Sequence, residues 1–266
     1  MSKINLHRGN CLEIMPKLED NSIDLILTDP PFQTTSIKWD IMIPFVPMWE
    51  QLQRLIKPGG AIVLFCAQPF TSKLICSNLD WFKYPLVWQK TRVGFFAQAH
   101  QRFLSIHEDI AVFSDGGVSA NSKIPMKYNP QGVVDIIKSI KTVSYDRAHR
   151  KLKKPIKSKP YGAQKWGTSA INYTQTQTGF PNSILKFSSE QAKYHPTQKP
   201  VKLLEYLIKT YSDEGDIVLD FTCGSGSTGV AAKSTNRDFI GIEMNEEYFK
   251  IAKERIHKHL PQLTLF

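Results

Sequence analysis

Asp216-Ile217-Val218-Leu219-Asp220-Phe221-Thr222-Cys223-Gly224-Ser225-Gly226-Ser227-Thr228-Gly229 reads as a buried strand running into a glycine-rich turn, and Val230-Ala231-Ala232-Lys233 continues it as a helix. Glycines let the backbone turn sharply and approach a ligand closely, and the helix N-terminus offers free N–H groups. Glu243 follows Gly224 by nineteen residues, at the end of the next expected strand. An acid there can accept hydrogen bonds from both ribose hydroxyls of an adenosine, so the stretch predicts an adenosine-containing cofactor. The glycines also satisfy GxGxxG, which leaves a nicotinamide dinucleotide open. No Gly-Lys-Ser/Thr is present, which excludes a P-loop nucleotidase.

Working outward, short aliphatic runs occur at 4–7, 23–27, 61–66, 84–88, 109–113, 217–221 and 239–242, with helical patterns at 12–18, 44–56, 70–79, 201–211, 228–234 and 246–259. Strands alternating with helices predict an α/β fold, doubly wound around a mostly parallel sheet. Lys57-Pro58-Gly59-Gly60 reads as a helix stop and turn before the third strand. The alternation breaks between about residues 118 and 190, a Lys-rich, polar stretch that reads as an insertion.

The chain has 266 residues, 41% hydrophobic and 11% aromatic, enough for a substantial core. No apolar run approaches a membrane span and no signal peptide is evident, so a cytoplasmic protein without membrane contact is expected. Cys11, Cys66, Cys76 and Cys223 form no CxxC pair, and the histidines form no HExxH; no metal is expected. The net charge of +10 is uneven. Residues 118–170 hold 12 Lys/Arg and 2 Asp/Glu, and the remainder holds 22 of each sign. Arg147, Arg150, Lys151, Lys153 and Lys154 lie in this run, interleaved with Tyr145, Tyr161 and Trp166. Such a run suits a phosphate-binding surface, DNA or RNA.

Ile23-Asp24-Leu25-Ile26-Leu27-Thr28 is a strand ending in Asp29-Pro30-Pro31-Phe32. Two prolines fix the backbone and remove two N–H donors, leaving carbonyls as acceptors beside a carboxylate and an aromatic face. The set suits a planar group bearing an NH2. Asp29 and the Pro30 carbonyl each accept one N–H while Phe32 stacks on the ring. An aromatic amino nitrogen is a poor nucleophile because its lone pair is delocalised into the ring. Two acceptors would localise that pair toward an incoming electrophile, and the rest of the catalysis is alignment.

With these motifs in hand, the chain resembles the β-group amino DNA methyltransferases, adenine-N6 or cytosine-N4 specific, over nearly its whole length outside the basic insert. Asp29-Pro30-Pro31-Phe32 matches the catalytic tetrapeptide, and Asp220 to Thr228 matches the cofactor loop, with Phe221-Thr222-Cys223 in place of the commoner Pro-Phe. His195-Pro196-Thr197-Gln198-Lys199-Pro200 looks like the family's lead-in to the helix before that loop. By that resemblance Thr197 and Lys199 lie near the carboxylate of the cofactor's methionine. Gly9-Asn10-Cys11-Leu12 stands where the family has Gly-Asp-Cys or Gly-Asp-Ser; the Asn10 side-chain carbonyl would accept from the cofactor's adenine. Trp88-Gln89-Lys90 and Ile106-His107-Glu108 fall where similar segments border the base pocket, although core packing explains Trp88 and structural pairing explains His107.

The resemblance implies a seven-stranded Rossmann-like sheet, residues 1–117 and 191–266, interrupted by a target-recognition insertion, 118–190. It also implies S-adenosyl-L-methionine as cofactor, held by Asn10, Cys11, Asp29, Thr197, Lys199, Asp220, Phe221, Thr222, Cys223, Gly224, Ser225, Gly226, Thr228 and Glu243. The substrate is then double-stranded DNA, with the target base flipped out of the stack. Asp in the first position of the tetrapeptide favours adenine N6; cytosine N4 is the nearest alternative. RNA methylation and a nicotinamide-dependent oxidoreductase are the more distant ones. Whether the chain forms a homodimer or accompanies a cognate restriction enzyme is open at this stage.

Overall fold

The strand expected at 23–27 forms β2, Ile23–Thr28, and the one expected at 217–221 forms β9, Ile217–Asp220; the two are parallel neighbours, Leu25 beside Val218 and Ile26 beside Leu219. The computed structural model of the chain describes residues 2–33, 40–94, 96–119, 121–136, 176–190, 194 and 197–259. Besides β2 and β9, the strands are β1 (Ile4–Arg8), β3 (Ile56–Cys66), β4 (Phe82–Gly94), β5 (Ser105–Phe113), β6 (Val134–Asp135), β7 (Gln177–Thr178), β8 (Ile184–Lys186) and β10 (Asp238–Glu243). The helices are α1 (Cys11–Ile14), α2 (Phe45–Leu55), α3 (Phe70–Cys76), α4 (Val201–Tyr211), α5 (Ser227–Ser234) and α6 (Glu246–Lys258).

The main sheet has the order β1-β10-β9-β2-β3-β5-β4-β8, eight strands where seven were expected. The eighth is β8, parallel to β4 through Val87–Gln89 against Ile184–Lys186. The five strands from β1 to β3 run parallel, and β5 lies antiparallel to both β3 and β4. Period-2 alternation in the central strands feeds two apolar layers, as a sheet covered on both faces requires. Ala61, Val63 and Phe65 of β3 join Ile110 and Val112 of β5 under α4, α5 and α6, with Leu203, Leu207, Ala231 and Ile256. Ile62, Leu64 and Cys66 face the other way with Ala111 and Phe113, onto Met15, Trp49, Leu52 and Phe70.

The helix before Lys57-Pro58-Gly59-Gly60 stops at Leu55, as expected, but the four residues form the irregular start of β3 rather than a turn before it. Gly59 sits at φ +78°, and a Cβ there would lie 2.6 Å from the Pro125 carbonyl oxygen. The chain packs as two units: residues 1–131 with 182–266, and residues 132–181. In the second, β6 and β7 pair antiparallel. Among the described residues, no helix is long and apolar enough to cross a membrane.

Candidate active site

The carboxyl ends of β2 and β9 carry the two motif loops, and a chain of short hydrogen bonds ties them together. Thr28 donates from Oγ1 to Asp220 Oδ1 at 2.6 Å, and its hydroxyl lies 2.6 Å from that of Thr222. Thr222 in turn is 3.2 Å from the Asp29 carbonyl oxygen, which accepts from its Oγ1, and the Thr222 amide donates to Asp220 at 3.1 Å. Burial pushes the Asp220 carboxyl up to about 6 in spite of the hydrogen bonds from Thr228, Thr28 and Thr222. Asp220 therefore holds the loops in register rather than presenting an exposed charge.

The cofactor loop has the geometry its glycines require. Gly224 and Gly226 sit at φ +49° and +80°, in the left-handed region, and Gly226 is the N-cap of α5. A Cβ on Gly226 would come within 3.0 Å of Ala252 in α6, and one on Gly229 within 2.3 Å of Ile256. Loop and helices thus approach too closely for a side chain. The Glu243 carboxylate closes the turn, accepting from Gly224 N at 2.8 Å and Asn245 N at 2.7 Å. Each oxygen keeps acceptor capacity for a further donor. Burial raises its carboxyl, and the backbone hydrogen bonds oppose that rise. Arg255 braces the loop from outside, donating to Ser227 Oγ at 2.9 Å and to Ser225.

These loops open on one cavity of about 710 Å³, within the range of small-molecule sites. Asn10, Cys11, Asp29–Phe32, Thr197, Lys199, Asp220–Ser225, Thr228 and Glu243 line it, so every expected catalytic and cofactor residue except Gly226 reaches its wall. The DNA-binding residues Arg147, Arg150, Lys151, Lys153 and Lys154 lie outside the described residues, as do His195 and Pro196. Asn10 does a job its motif did not announce: its side-chain oxygen caps α1, accepting from Leu12 N at 3.0 Å. Cys11 is buried, and burial pushes its thiol up to about 11, a neutral apolar wall. Phe32 stacks on Phe70 with ring centroids 5.1 Å apart.

The cavity wall joins the expected Asp29 and Lys199 to a second pair of charges. Lys199, 7% exposed, ion-pairs with Asp29 through Oδ2 and lies 3.4 Å from Glu108 Oε2, while Lys90 ion-pairs with Glu108 through Oε1. The ammonium of Lys199 also lies 5.2 Å from the centroid of the Phe65 ring. Two carboxylates and two lysines alternate, and the carboxylates differ in acidity. Burial pushes Glu108 up, but Lys199 and Lys90 together outweigh it and hold the group below its ordinary value. Asp29 is raised because burial outweighs its one direct lysine partner. Burial disfavours the Lys199 ammonium, yet Asp29 and Glu108 more than offset this and raise it. Among the described residues, the buried Oδ1 of Asp29 has no hydrogen-bond partner. An orphaned buried acceptor costs free energy unless something binds it, so the site is built for a donor that arrives from the cavity.

The residues fit an adenosine cofactor bearing a cationic sulfur. Glu243, the backbone of the glycine loop, Asp29 and Phe32 all line this cavity. Lys90 and Glu108 are cavity-wall residues that the sequence motifs did not single out. Their segments were noted, but only the hairpin register, with Trp88 opposite Glu108 and Gln89 opposite His107, brings them together. Trp88 is a core residue, as read, and donates from Nε1 to the Phe187 carbonyl at 3.0 Å.

A family model of N6/N4 methyltransferases, described as DNA methylase, matches residues 23–254. The Type II methyltransferase M.HpaI of Haemophilus parainfluenzae is 32% identical over 267 residues, covering 93% of this chain and 72% of its own length. The DNA adenine methyltransferase YhdJ of Escherichia coli (strain K12) is 28% identical over 260 residues, covering 93% of this chain and 81% of its own. The crystal structure of the M1.HpyAVI–SAM complex matches with a TM-score of 0.59 at 25% identity, over 95% of this chain and 99% of that one.

Proposed function

Since the chain belongs to the N6/N4 DNA methylase family, whose members use S-adenosylmethionine, we propose that it methylates the N6 amino group of an adenine flipped out of duplex DNA. The observation that carries this reading is the unpartnered Oδ1 of Asp29, buried at the wall of a cavity that the cofactor loop also lines. Asp29 Oδ1 accepts one amino hydrogen and the Pro30 carbonyl accepts the other, which localises the nitrogen lone pair. Phe32, backed by Phe70, supplies an aromatic face for the base. Lys199 opposes the rise that burial imposes on Asp29 and so favours the carboxylate, whose oxygens act as acceptors. When bound, S-adenosylmethionine supplies an electrophilic methyl group on a sulfonium. Glu243 would hold its ribose, and the backbone of Gly224 to Thr228 would surround it.

Adenine is preferred to cytosine because the tetrapeptide begins with Asp29, and a relative named as a DNA adenine methyltransferase aligns over most of the chain. The basic residues Arg147, Arg150, Lys151, Lys153 and Lys154, within the insertion spanning 118–190, are assigned to DNA phosphates on charge alone. The test is to incubate the protein with methyl-labelled S-adenosylmethionine and unmethylated DNA, digest the DNA and identify the nucleoside. N6-methyladenine is expected; N4-methylcytosine would overturn the choice of base, and label on RNA in a parallel incubation with none on DNA would overturn DNA. Asp29→Ala is expected to bind cofactor with near-normal affinity and to transfer no methyl.

A further inference from the structure

The hairpin of β4 and β5 does more than complete the sheet. β5 pairs with β3 only as far as Asp109 opposite Cys66, the last residue of β3. Residues 105–108 and their β4 partners run on past that edge, on the side where the loop of Asp29 also emerges, by about 13 Å at 3.3 Å per residue. The base of this overhang is cavity wall, through Lys90, Ser105, His107 and Glu108. Its tip is ordered by its own turns, with Ala99 N donating to Phe96 O at 3.1 Å and Arg102 N to Gln98 O at 3.1 Å.

The tip's composition suits neither a core nor an ordinary solvated turn. Phe103 is 97% exposed and Phe96 75%, with Val93 at 44% beside them. From Thr91 to His107 the sequence holds Arg92 and Arg102 and no acidic residue, while Lys90 at the root is paired with Glu108. Two large apolar side chains thus stand in solvent on a basic arm rooted in the wall of the base pocket. Apolar wedges on basic elements are the means by which proteins unstack a base step. Extrusion of a base leaves a gap in the stack next to the pocket that receives it.

We propose that this hairpin tip is a wedge that enters the duplex beside the flipped base, with Phe103 as the side chain that occupies the opened stack. The inference rests on the reading of the chain as a DNA methyltransferase acting on a flipped base. Phe96 flanks the insertion, and Arg92 and Arg102 of the arm hold it against the phosphates.

The wedge is tested by single-turnover methylation of two oligonucleotide duplexes. Both carry the sequence that product sequencing identifies as methylated, one fully paired and one with a mismatched base opposite the target. A mismatch weakens pairing and removes most of the work of extrusion. Phe103→Ala is expected to slow methylation of the paired duplex at least tenfold and that of the mismatched duplex less than twofold, while Phe103→Trp retains activity on both. A rate unchanged on the paired duplex overturns the proposal. So does an equal loss on both duplexes, which would make the tip a general DNA contact, and so does a change in sedimentation, which would make it a surface for a second copy. Absence of transfer to either duplex by the unaltered protein would overturn the methyltransferase reading itself, and the wedge with it.

Discussion

Replacing Lys199 by Met removes the one cation shared by two half-buried carboxylates while keeping most of the side chain's volume. At an effective dielectric of about 20, a contact between unit charges near 4 Å is worth about 4 kcal/mol. Lys199 makes one such contact with Asp29 and a second, at 3.4 Å, with Glu108. Desolvation offsets most of that gross attraction in the intact protein, but removing only the lysine leaves Asp29 unmatched, at a cost of roughly 3–5 kcal/mol. Glu108 retains Lys90, so Asp29 is the group that responds, by taking up a proton. Its folded pKa already lies above its ordinary value because of burial, and loss of Lys199 raises it further. An acid with a raised folded pKa binds more protons folded than unfolded, so stability falls as pH rises through that window. Urea denaturation of the Lys199→Met protein is therefore expected to show a deficit of roughly 3–5 kcal/mol at pH 8 that shrinks at pH 5.5. Adding Glu108→Gln is expected to restore part of it. Turnover falls while cofactor affinity holds, because the lysine serves Asp29. A deficit under about 0.5 kcal/mol, within the range of surface substitutions, or one independent of pH, would refute the reasoning. A raised KM for S-adenosylmethionine with unchanged kcat would instead return Lys199 to the cofactor's carboxylate.

Asp220→Asn keeps an acceptor for Thr28 but removes a carboxyl raised from 3.8 to about 6. Because the folded protein takes up the extra proton between those values, the native carboxylate is a liability above pH 6. The variant is expected to be more stable at pH 8 by up to about 3 kcal/mol, the advantage fading as pH falls to 4; a constant difference in thermal or urea unfolding would contradict this. Gly226→Ala forces a left-handed residue against Ala252, whereas Gly215, at φ +86°, has nothing within 4 Å of a Cβ. Both lose about 1–2 kcal/mol from backbone strain. Only Gly226→Ala is expected to lose more than that and to weaken cofactor binding, as unfolding and equilibrium titration would show. Neutralising Arg147, Arg150, Lys151, Lys153 and Lys154 together is expected to reduce the slope of log affinity against log salt by about 0.9 per lost phosphate contact. An unchanged slope would make the run a solvated face.

The parts legible in the sequence were those written locally. β2, β9 and β10 announce themselves as short aliphatic runs, and the tetrapeptide and glycine loop follow them directly, so their residues converge on one cavity. β8 was illegible because three residues between turns carry no period, and its place in the sheet is set by β4. The charged end of the site was illegible for a different reason. Lys199 and Asp29 are 170 residues apart, and Lys90 meets Glu108 only through the register of a hairpin. Asn10 illustrates a residue type with two compatible uses, ligand acceptor and helix cap; motif position suggested the first and the backbone displays the second.

The hydrogen bonds lacing Thr28 and Asp29 to Asp220 and Thr222 span more than 190 residues of chain. What makes these loops neighbours is lateral adjacency in the sheet, and ribosomal order has no bearing on it. The roots of the two loops are held one strand-to-strand spacing apart, about 4.8 Å. A gene rearranged to translate the cofactor strand before the tetrapeptide strand would still rebuild the same junction, provided both strands kept their places. The reaction constrains a cross-section of the molecule and leaves the itinerary of the polypeptide through it to evolutionary accident.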